Sequence, residues 1–322
     1  MSSPVRLLLL SGSPGVDTPH LAATVCAVLR DAGRPALHAC AQGPGPTTTY
    51  DELWSTLGAG VGEILRGLGL GRLDPQEVGT LPALADLAGT LAACQAAEDF
   101  EGIVVWDAGT GQAALRAVSS LDAALALLDR VVTPETTSRA RPGLGTEGAA
   151  LEAVALVRLR IQAATDLLST SAMGWVMASP GGGSDLEVRR TAAALAMWGI
   201  RVEVIDATDG FAEGGSLLTA VEGISRTLPA SHWVEGSAQD GYRLNVRLEH
   251  VQRQWLRVGR TSSTLVLAQD GWRRRLALPP TLQRCLLEGA ALEDGVLTVR
   301  FTPDAAAWPS DPSVKGKVHA ET

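Results

Sequence analysis

Residues 5–21 read VRLLLLSGSPGVDTPHL, and this stretch decides the fold of the first part of the chain. A short apolar run that ends at serine, glycine and proline is typical of a buried strand in a parallel sheet. Apolar residues then recur at helical spacing from residue 20 to 32, where Gly33 ends the helix. Residues 36–41 predict a second strand. Because strand, glycine-rich turn, helix and strand form one βαβ unit, the sequence predicts an α/β protein.

The composition of the 322 residues excludes several classes of protein. Hydrophobic residues make up 46% of the chain and the net charge is −8, so the chain is not intrinsically disordered. The apolar run at residues 7–10 is far shorter than the ~20 residues of a membrane span, and a secretory signal is longer too. The pI of about 5.2 argues against a nucleic-acid binder. We therefore expect a cytoplasmic protein with no nucleic-acid partner and no transmembrane segment.

Two scarce residue types limit the available chemistry. Of the 27 basic residues only Lys315 and Lys317 are lysines, so no earlier residue can serve as a phosphate-binding or Schiff-base lysine. The four cysteines lack the Cys-x-x-Cys spacing of zinc and redox sites. They are interpreted as small buried apolar side chains: Cys26, Cys40, Cys94 and Cys285.

The pattern of elements changes near residue 230. Before it, further strands are predicted at 103–106, 174–178 and 200–205. Helices are predicted over much of 51–98 and over 112–130, 149–169, 184–198 and 215–227. A loop is predicted at 133–148. After it, short alternating runs predict strands at 242–248, 254–258, 264–268, 273–278 and 296–301. The predicted organisation is a doubly wound, mostly parallel α/β domain over 1–230, a small all-β sandwich over 235–303 and a flexible tail over 304–322.

The turn after the first strand resembles a known phosphate loop. In the ATPase family that contains the arsenite-pump ATPase ArsA and the tail-anchored-protein-targeting ATPases, this loop reads GKGGVGKTTL. Gly12, Gly15, Val16 and Leu21 match that pattern in register. The resemblance implies a P-loop NTPase-like fold, and it implies nucleotide-binding candidates in the degenerate loop: Gly12, Ser13, Gly15, Asp17 and Thr18.

The functional positions of the loop differ from the family pattern. Ser13 and Thr18 replace the two lysines, Pro19 replaces the magnesium-binding threonine, and Pro14 and Asp17 stand at glycine positions. Pro14 removes an N–H donor. Two like unit charges at ~4 Å and an effective dielectric of ~20 repel by roughly 4 kcal/mol, so Asp17 would oppose a triphosphate. We therefore expect no resident cofactor, with Mg-ATP bound at most weakly. A plain strand-to-helix turn is the alternative reading.

Two further segments carry candidate catalytic residues. Residues 104–112, VVWDAGTGQ, resemble the family's switch segment DTAPTGHTLR, which implies that Asp107 could orient magnesium. The alternative for Asp107 is a carboxylate in a loop or at a helix cap. Gln42 falls where the family has a water-activating aspartate, and an amide can position water but cannot deprotonate it.

The last third of the chain resembles the small-heat-shock (α-crystallin) domain. The similar segments are residues 242–244, residues 272–280 and residues 292–301, the last reading LEDGVLTVRF. This domain is appended to some members of the same ATPase family. The two resemblances together imply a member of that family over most of residues 5–302.

The combination predicts a family fold whose phosphate chemistry has been lost. Our first hypothesis is a pseudo-ATPase that acts as a binding or scaffold subunit, either as a homodimer or as a heterodimer with an ArsA-like paralogue. A hydrophobic protein client is a further partner implied by the family. Two alternatives stay open: an ATPase whose missing cation is supplied in trans, and a holdase-type chaperone that acts through the β-domain.

Overall fold

The chain divides into two compact units, Met1–Leu228 and Pro229–Thr322. The computed structural model describes residues 5–40, 82–131, 145–168, 173–180, 185–207, 219 and 232–307. The first unit is a parallel sheet with helices and the second consists of antiparallel sheets, so the predicted α/β class followed by an all-β part is confirmed. Most of the predicted 215–227 helix, and the predicted tail beyond residue 307, lie outside the described residues.

Five parallel strands form the sheet of the first unit, in the order β2-β3-β1-β4-β5. The strands are β1 (Leu7–Gly12), β2 (Ala36–Cys40), β3 (Ile103–Thr110), β4 (Met173–Ser179) and β5 (Val202–Asp206). The described helices of this unit are α1 (Thr18–Asp31), α2 (Pro82–Asp99), α3 (Gly111–Val131), α4 (Gly145–Leu168) and α5 (Leu186–Ala196). Strand β1 is central and all of its residues are buried, as the continuous apolar run predicted.

Helix α1 covers one face of this sheet. Leu21, Val25 and Leu29 lie on its buried side and pack in one cluster with Leu8 and Leu10 of β1. Burial of each such side chain contributes about 1.5–3 kcal/mol. Successive strand residues point to opposite faces, and helices α2 and α3 also contact β1 and β3. Both faces of the central strands are therefore covered.

Two boundaries in this unit differ from the predictions. The strand predicted at 103–106 is longer in the structure, because β3 continues to Thr110. Asp107 pairs with Cys40 of β2 and with Leu10 of β1, and Thr110 pairs with Gly12 of β1 after a register shift between Leu10 and Gly12. Likewise α4 begins at Gly145, inside the predicted loop. No helix within the described ranges is long and apolar enough to cross a membrane.

The second unit contains two antiparallel sheets. One has the order β10-β9-β8 and the other β11-β12-β7-β6. The strands are β6 (His232–Ser237), β7 (Gly241–Arg247), β8 (Arg257–Arg260), β9 (Thr264–Gln269), β10 (Trp272–Ala277), β11 (Cys285–Glu293) and β12 (Val296–Pro303). The prediction missed β6 and β11, because both are edge strands with mostly exposed side chains and no alternation. The strand predicted at 254–258 was misplaced, since Trp255 N–H closes a turn on Gln252 O.

Arg260 connects one sheet of this unit to the start of β11. A short helix, α6 (Pro280–Gln283), precedes β11. The Arg260 guanidinium donates to the carbonyl oxygens of Leu282 at 3.3 Å, Gln283 at 2.9 Å and Cys285. Its Cζ lies 5.7 Å from the centre of the Phe301 ring. One side chain thus provides charged donors to backbone carbonyl groups at the end of α6 and at the start of β11.

Candidate functional site

The interior of the turn between β1 and α1 is filled by its own side chains. A Cβ atom placed on Gly12 would lie 2.7 Å from Val16 Cβ and 2.8 Å from Thr18 Cγ2, so only glycine fits there. Val16 packs against the cluster that joins β1 to α1, and Thr18 is buried. Space on the inner side of the turn is therefore taken by Val16 and Thr18.

Several backbone groups of this turn are already used or missing. The N–H of Ser13 donates to Ala178 O at 2.9 Å, and the N–H of Val16 donates to Ser13 O at 3.1 Å. Pro14 and Pro19 have no N–H to offer. A phosphate cradle depends on a series of such groups directed at one anion. In this turn two of these N–H groups are directed instead at backbone carbonyl oxygens, one on β4 and one in the turn itself.

The head of α1 is capped by a carboxylate of the chain itself. Asp17 is the N-cap residue, and its Oδ1 accepts the backbone N–H of His20 at 3.0 Å, while its carbonyl oxygen accepts from Leu21 at 3.0 Å. A negative group at a helix N-terminus interacts favourably with the helix dipole. The place that favours a bound anion is therefore occupied by Asp17.

Two neighbouring helices repeat this arrangement. Thr110 Oγ1 accepts the N–H of Ala113 at 3.2 Å at the start of α3. Asp185, the N-cap residue of α5, accepts the N–H of Glu187 through Oδ1 at 2.7 Å. In α1, α3 and α5, one N–H group of the first turn is thus satisfied by a side chain of the chain itself.

A small cavity lies between the turn that follows β1 and the first turns of α3 and α5. Its volume is about 120 Å³, whereas small-molecule sites usually measure about 300–1,000 Å³. The charged residues of its lining are both acidic, Asp185 and Glu187. The lining consists of Gly12, Ser13, Pro14, Thr110, Gly111, Gln112, Met177, Asp185, Glu187, Val188 and Thr191. Of the predicted loop candidates, Gly12 and Ser13 border the cavity.

Asp107 is placed apart from this cavity. It is buried near the end of β3, so neither the loop nor the helix-cap interpretation describes it. Its Oδ1 accepts the N–H of Gly109 at 2.9 Å, and its Oδ2 accepts from Cys40 Sγ at 3.9 Å. Gln42, the other catalytic candidate, lies outside the described residues.

Cys40 differs from the other cysteines. Cys26, Cys94 and Cys285 are buried as predicted, and burial raises the pKa of Cys94 to about 12. Cys40 is half-buried, and its pKa is raised by burial and also by the charge of Asp107 and a hydrogen bond to that carboxylate.

His38 completes a cluster with Cys40 and Asp107 that the sequence reasoning missed. The donor atoms of the three side chains all lie within 4.8 Å of one another. The available signal was the alternation His38-x-Cys40, which places both side chains on one face of β2.

Comparisons with known proteins identify a known domain in the second unit and a relative that covers most of the chain. Residues 239–301 match the family model described as the HSP20-like domain found in ArsA, which confirms the predicted small-heat-shock-like domain. The chain is 30% identical over 298 aligned positions to "Uncharacterized protein SCO2128" of Streptomyces coelicolor, covering 75% of this chain and 76% of that protein. It is also 39% identical over 69 residues to "Protein Rv2184c" of Mycobacterium tuberculosis, covering 21% and 16%. The chain belongs to the same family as the Streptomyces protein, and its C-terminal unit carries the HSP20-like domain found in ArsA.

Proposed function

We propose that this protein is a relative of the ArsA ATPases that does not hydrolyse ATP and acts as a binding or scaffold subunit. The HSP20-like domain found in ArsA supports the relationship, as do the parallel α/β unit and the match of residues 12–21 to the family's phosphate loop. We propose further that it works as a homodimer or paired with an ArsA-like paralogue.

The observation that carries this proposal is the Asp17 cap. A triphosphate at the head of α1 would meet the Asp17 carboxylate that already accepts the His20 N–H at 3.0 Å. It would also have to displace Val16 and Thr18, which lie against Gly12. The residues present therefore do not fit Mg-ATP in the manner of the family.

A cation supplied by a partner would not restore the site. It could offset the charge of Asp17, but it would leave the two prolines without N–H groups and the interior of the turn filled. The carboxylates of Asp185 and Glu187 would add to the repulsion of an anion. The non-hydrolysing role is therefore preferred over an ATPase completed in trans.

Titration calorimetry with millimolar Mg-ATP tests this proposal. We expect no saturable heat for the wild-type chain and no phosphate release. Asp17→Asn is the matched variant, because asparagine keeps a capping oxygen and removes the charge. If Asp17→Asn bound Mg-ATP weakly and the wild type did not, the Asp17 carboxylate would be the group that excludes the nucleotide. Saturable submillimolar binding by the wild type, or turnover that Asp107→Ala abolishes, would refute the proposal.

A second role, the binding of an unfolded client, is favoured by strand β11. In the described sheet this strand is paired on one side only, with β12, and it exposes 57% of Leu286 and 37% of Leu287. An edge strand offers unpaired backbone groups to another extended chain. We propose that β11 takes an extended apolar segment of a partly unfolded protein.

Suppression of aggregation of a heat-denatured model client tests the β11 role. The wild-type chain is expected to delay light scattering, and the double variant Leu286→Ser, Leu287→Ser to lose most of that effect. Leu186→Ser is the control, because Leu186 is 48% exposed but lies at the start of α5 in the other unit. Equal protection by the double variant and the control would exclude β11 as the client surface.

A further inference from the structure

The carboxyl ends of β2 and β3 bring together three side chains that prefer transition metals. His38 and Cys40 share one face of β2, and Cys40 is the register partner of Asp107 on β3. Among the described strands β2 is at the edge of the parallel sheet, so the cluster lies towards that edge and not at the centre of the sheet. His38 and Cys40 are half-buried and Asp107 is buried.

The two separations that involve Cys40 Sγ are close to those of a tetrahedral zinc site, and all donor atoms lie within 4.8 Å of one another. His38 Nε2 lies 3.6 Å from Cys40 Sγ, and Cys40 Sγ lies 3.9 Å from Asp107 Oδ2. Around a tetrahedral Zn²⁺, with bonds of about 2.3 Å to sulfur and about 2.0 Å to nitrogen or oxygen, ligand atoms are about 3.5 Å apart. A small inward movement of the side chains would bring all three donors to bonding distance.

The surroundings of Asp107 favour one oxygen as a ligand. Its Oδ1 accepts the N–H of Gly109 at 2.9 Å, which fixes the carboxylate plane and leaves Oδ2 facing Cys40. Outer hydrogen bonds of this kind orient the ligands of metal sites. The charges also balance, because a thiolate and a carboxylate neutralise a divalent cation.

From this geometry we infer that His38, Cys40 and Asp107 form a binding site for one Zn²⁺, with a fourth coordination position that no histidine, cysteine or carboxylate of the described residues fills. A nitrogen, a sulfur and an oxygen suit Zn²⁺ better than Mg²⁺ or Ca²⁺, which prefer oxygen ligands throughout. Three protein ligands with one open position are typical of zinc sites that are not purely structural. Zinc binding at this cluster requires no nucleotide at the turn between β1 and α1.

Cobalt absorption spectroscopy on the full-length chain, stripped of metal with a chelator, tests the site. One equivalent of Co²⁺ is expected to give the near-ultraviolet band of a cobalt–thiolate bond and intense tetrahedral visible bands, and Zn²⁺ is expected to displace it. Cys40→Ser should abolish the thiolate band. His38→Gln and Asp107→Asn should weaken Zn²⁺ binding by roughly 100-fold or more, since loss of an outer-shell partner alone costs about 10–100-fold.

Two matched variants control for unspecific effects. Cys26→Ala removes a buried cysteine of α1, and His20→Gln removes an exposed histidine; both should bind Co²⁺ as the wild type does. Far-UV circular dichroism checks that each variant is folded, and Zn²⁺ should raise the thermal midpoint of the wild type and of the two controls only. Absence of a saturable one-equivalent site in the wild type, or a thiolate band that persists in Cys40→Ser, would overturn the inference.

Discussion

Replacement of Trp175 with alanine is expected to lower the free energy of unfolding of the α/β unit by about 3–5 kcal/mol. Trp175 lies in the central part of the sheet on β4 and is fully buried. Its indole N–H donates to Ser11 Oγ at 2.9 Å. The substitution would therefore leave both a large cavity and a buried hydroxyl without its partner. Urea denaturation followed by far-UV circular dichroism measures the change.

Trp175→Phe separates the two contributions. Phenylalanine retains most of the apolar volume but removes the N–H, so we expect a loss of about 1–3 kcal/mol from the unsatisfied Ser11 hydroxyl. Adding Ser11→Ala to Trp175→Phe should recover part of that loss. If the free energy of unfolding of Trp175→Ala lay within about 1 kcal/mol of the wild-type value, the burial assigned to this side chain would be contradicted.

The second large effect is expected at Arg260 in the β unit. Arg260→Ala would remove the donor shared by the carbonyl oxygens of Leu282, Gln283 and Cys285. Hydrogen bonds to a charged group contribute about 1.5–3 kcal/mol, so we expect the free energy of unfolding of this unit to fall by about 3 kcal/mol. Thermal denaturation of the purified variant provides the measurement.

A lysine variant and a neighbouring arginine control this result. Arg260→Lys keeps the charge but not the planar fork of donors, so it should recover less than half of the lost stability. Arg257 is exposed on the same strand, and Arg257→Ala should change stability by no more than about 0.5 kcal/mol. Equal stability of the Arg260→Ala and Arg257→Ala variants would contradict the role assigned to Arg260.

The α/β unit was predictable because its sequence signals are local. The apolar run of β1 ends at a glycine turn, and Gly33, with φ of 76°, directly follows the end of α1 as a helix stop should. The edge strand β11 was missed because its side chains face solvent, and an exposed strand has no alternating pattern.

Features that depend on distant pairing were beyond the sequence reasoning. The contact between Cys40 and Asp107 joins residues 67 positions apart, and it exists because β2 and β3 are neighbours in the sheet. Asp17 was noticed for its charge, but its hydrogen bond to His20 was not foreseen. An aspartate followed by Thr18-Pro19 is a common helix start, so that signal was present in the sequence.

The Asp17 cap has a consequence for the timing of any assembly that this protein joins. A ligand moves a protein between two conformations only if it binds one of them more tightly. Under the proposed non-hydrolysing role no nucleotide binds at the head of α1, where Asp17 caps the helix, so nucleotide hydrolysis would create no such difference. In that role a nucleotide cycle would not time the release of a bound partner, and the partner's dissociation rate would follow from the strength of its contact with this protein.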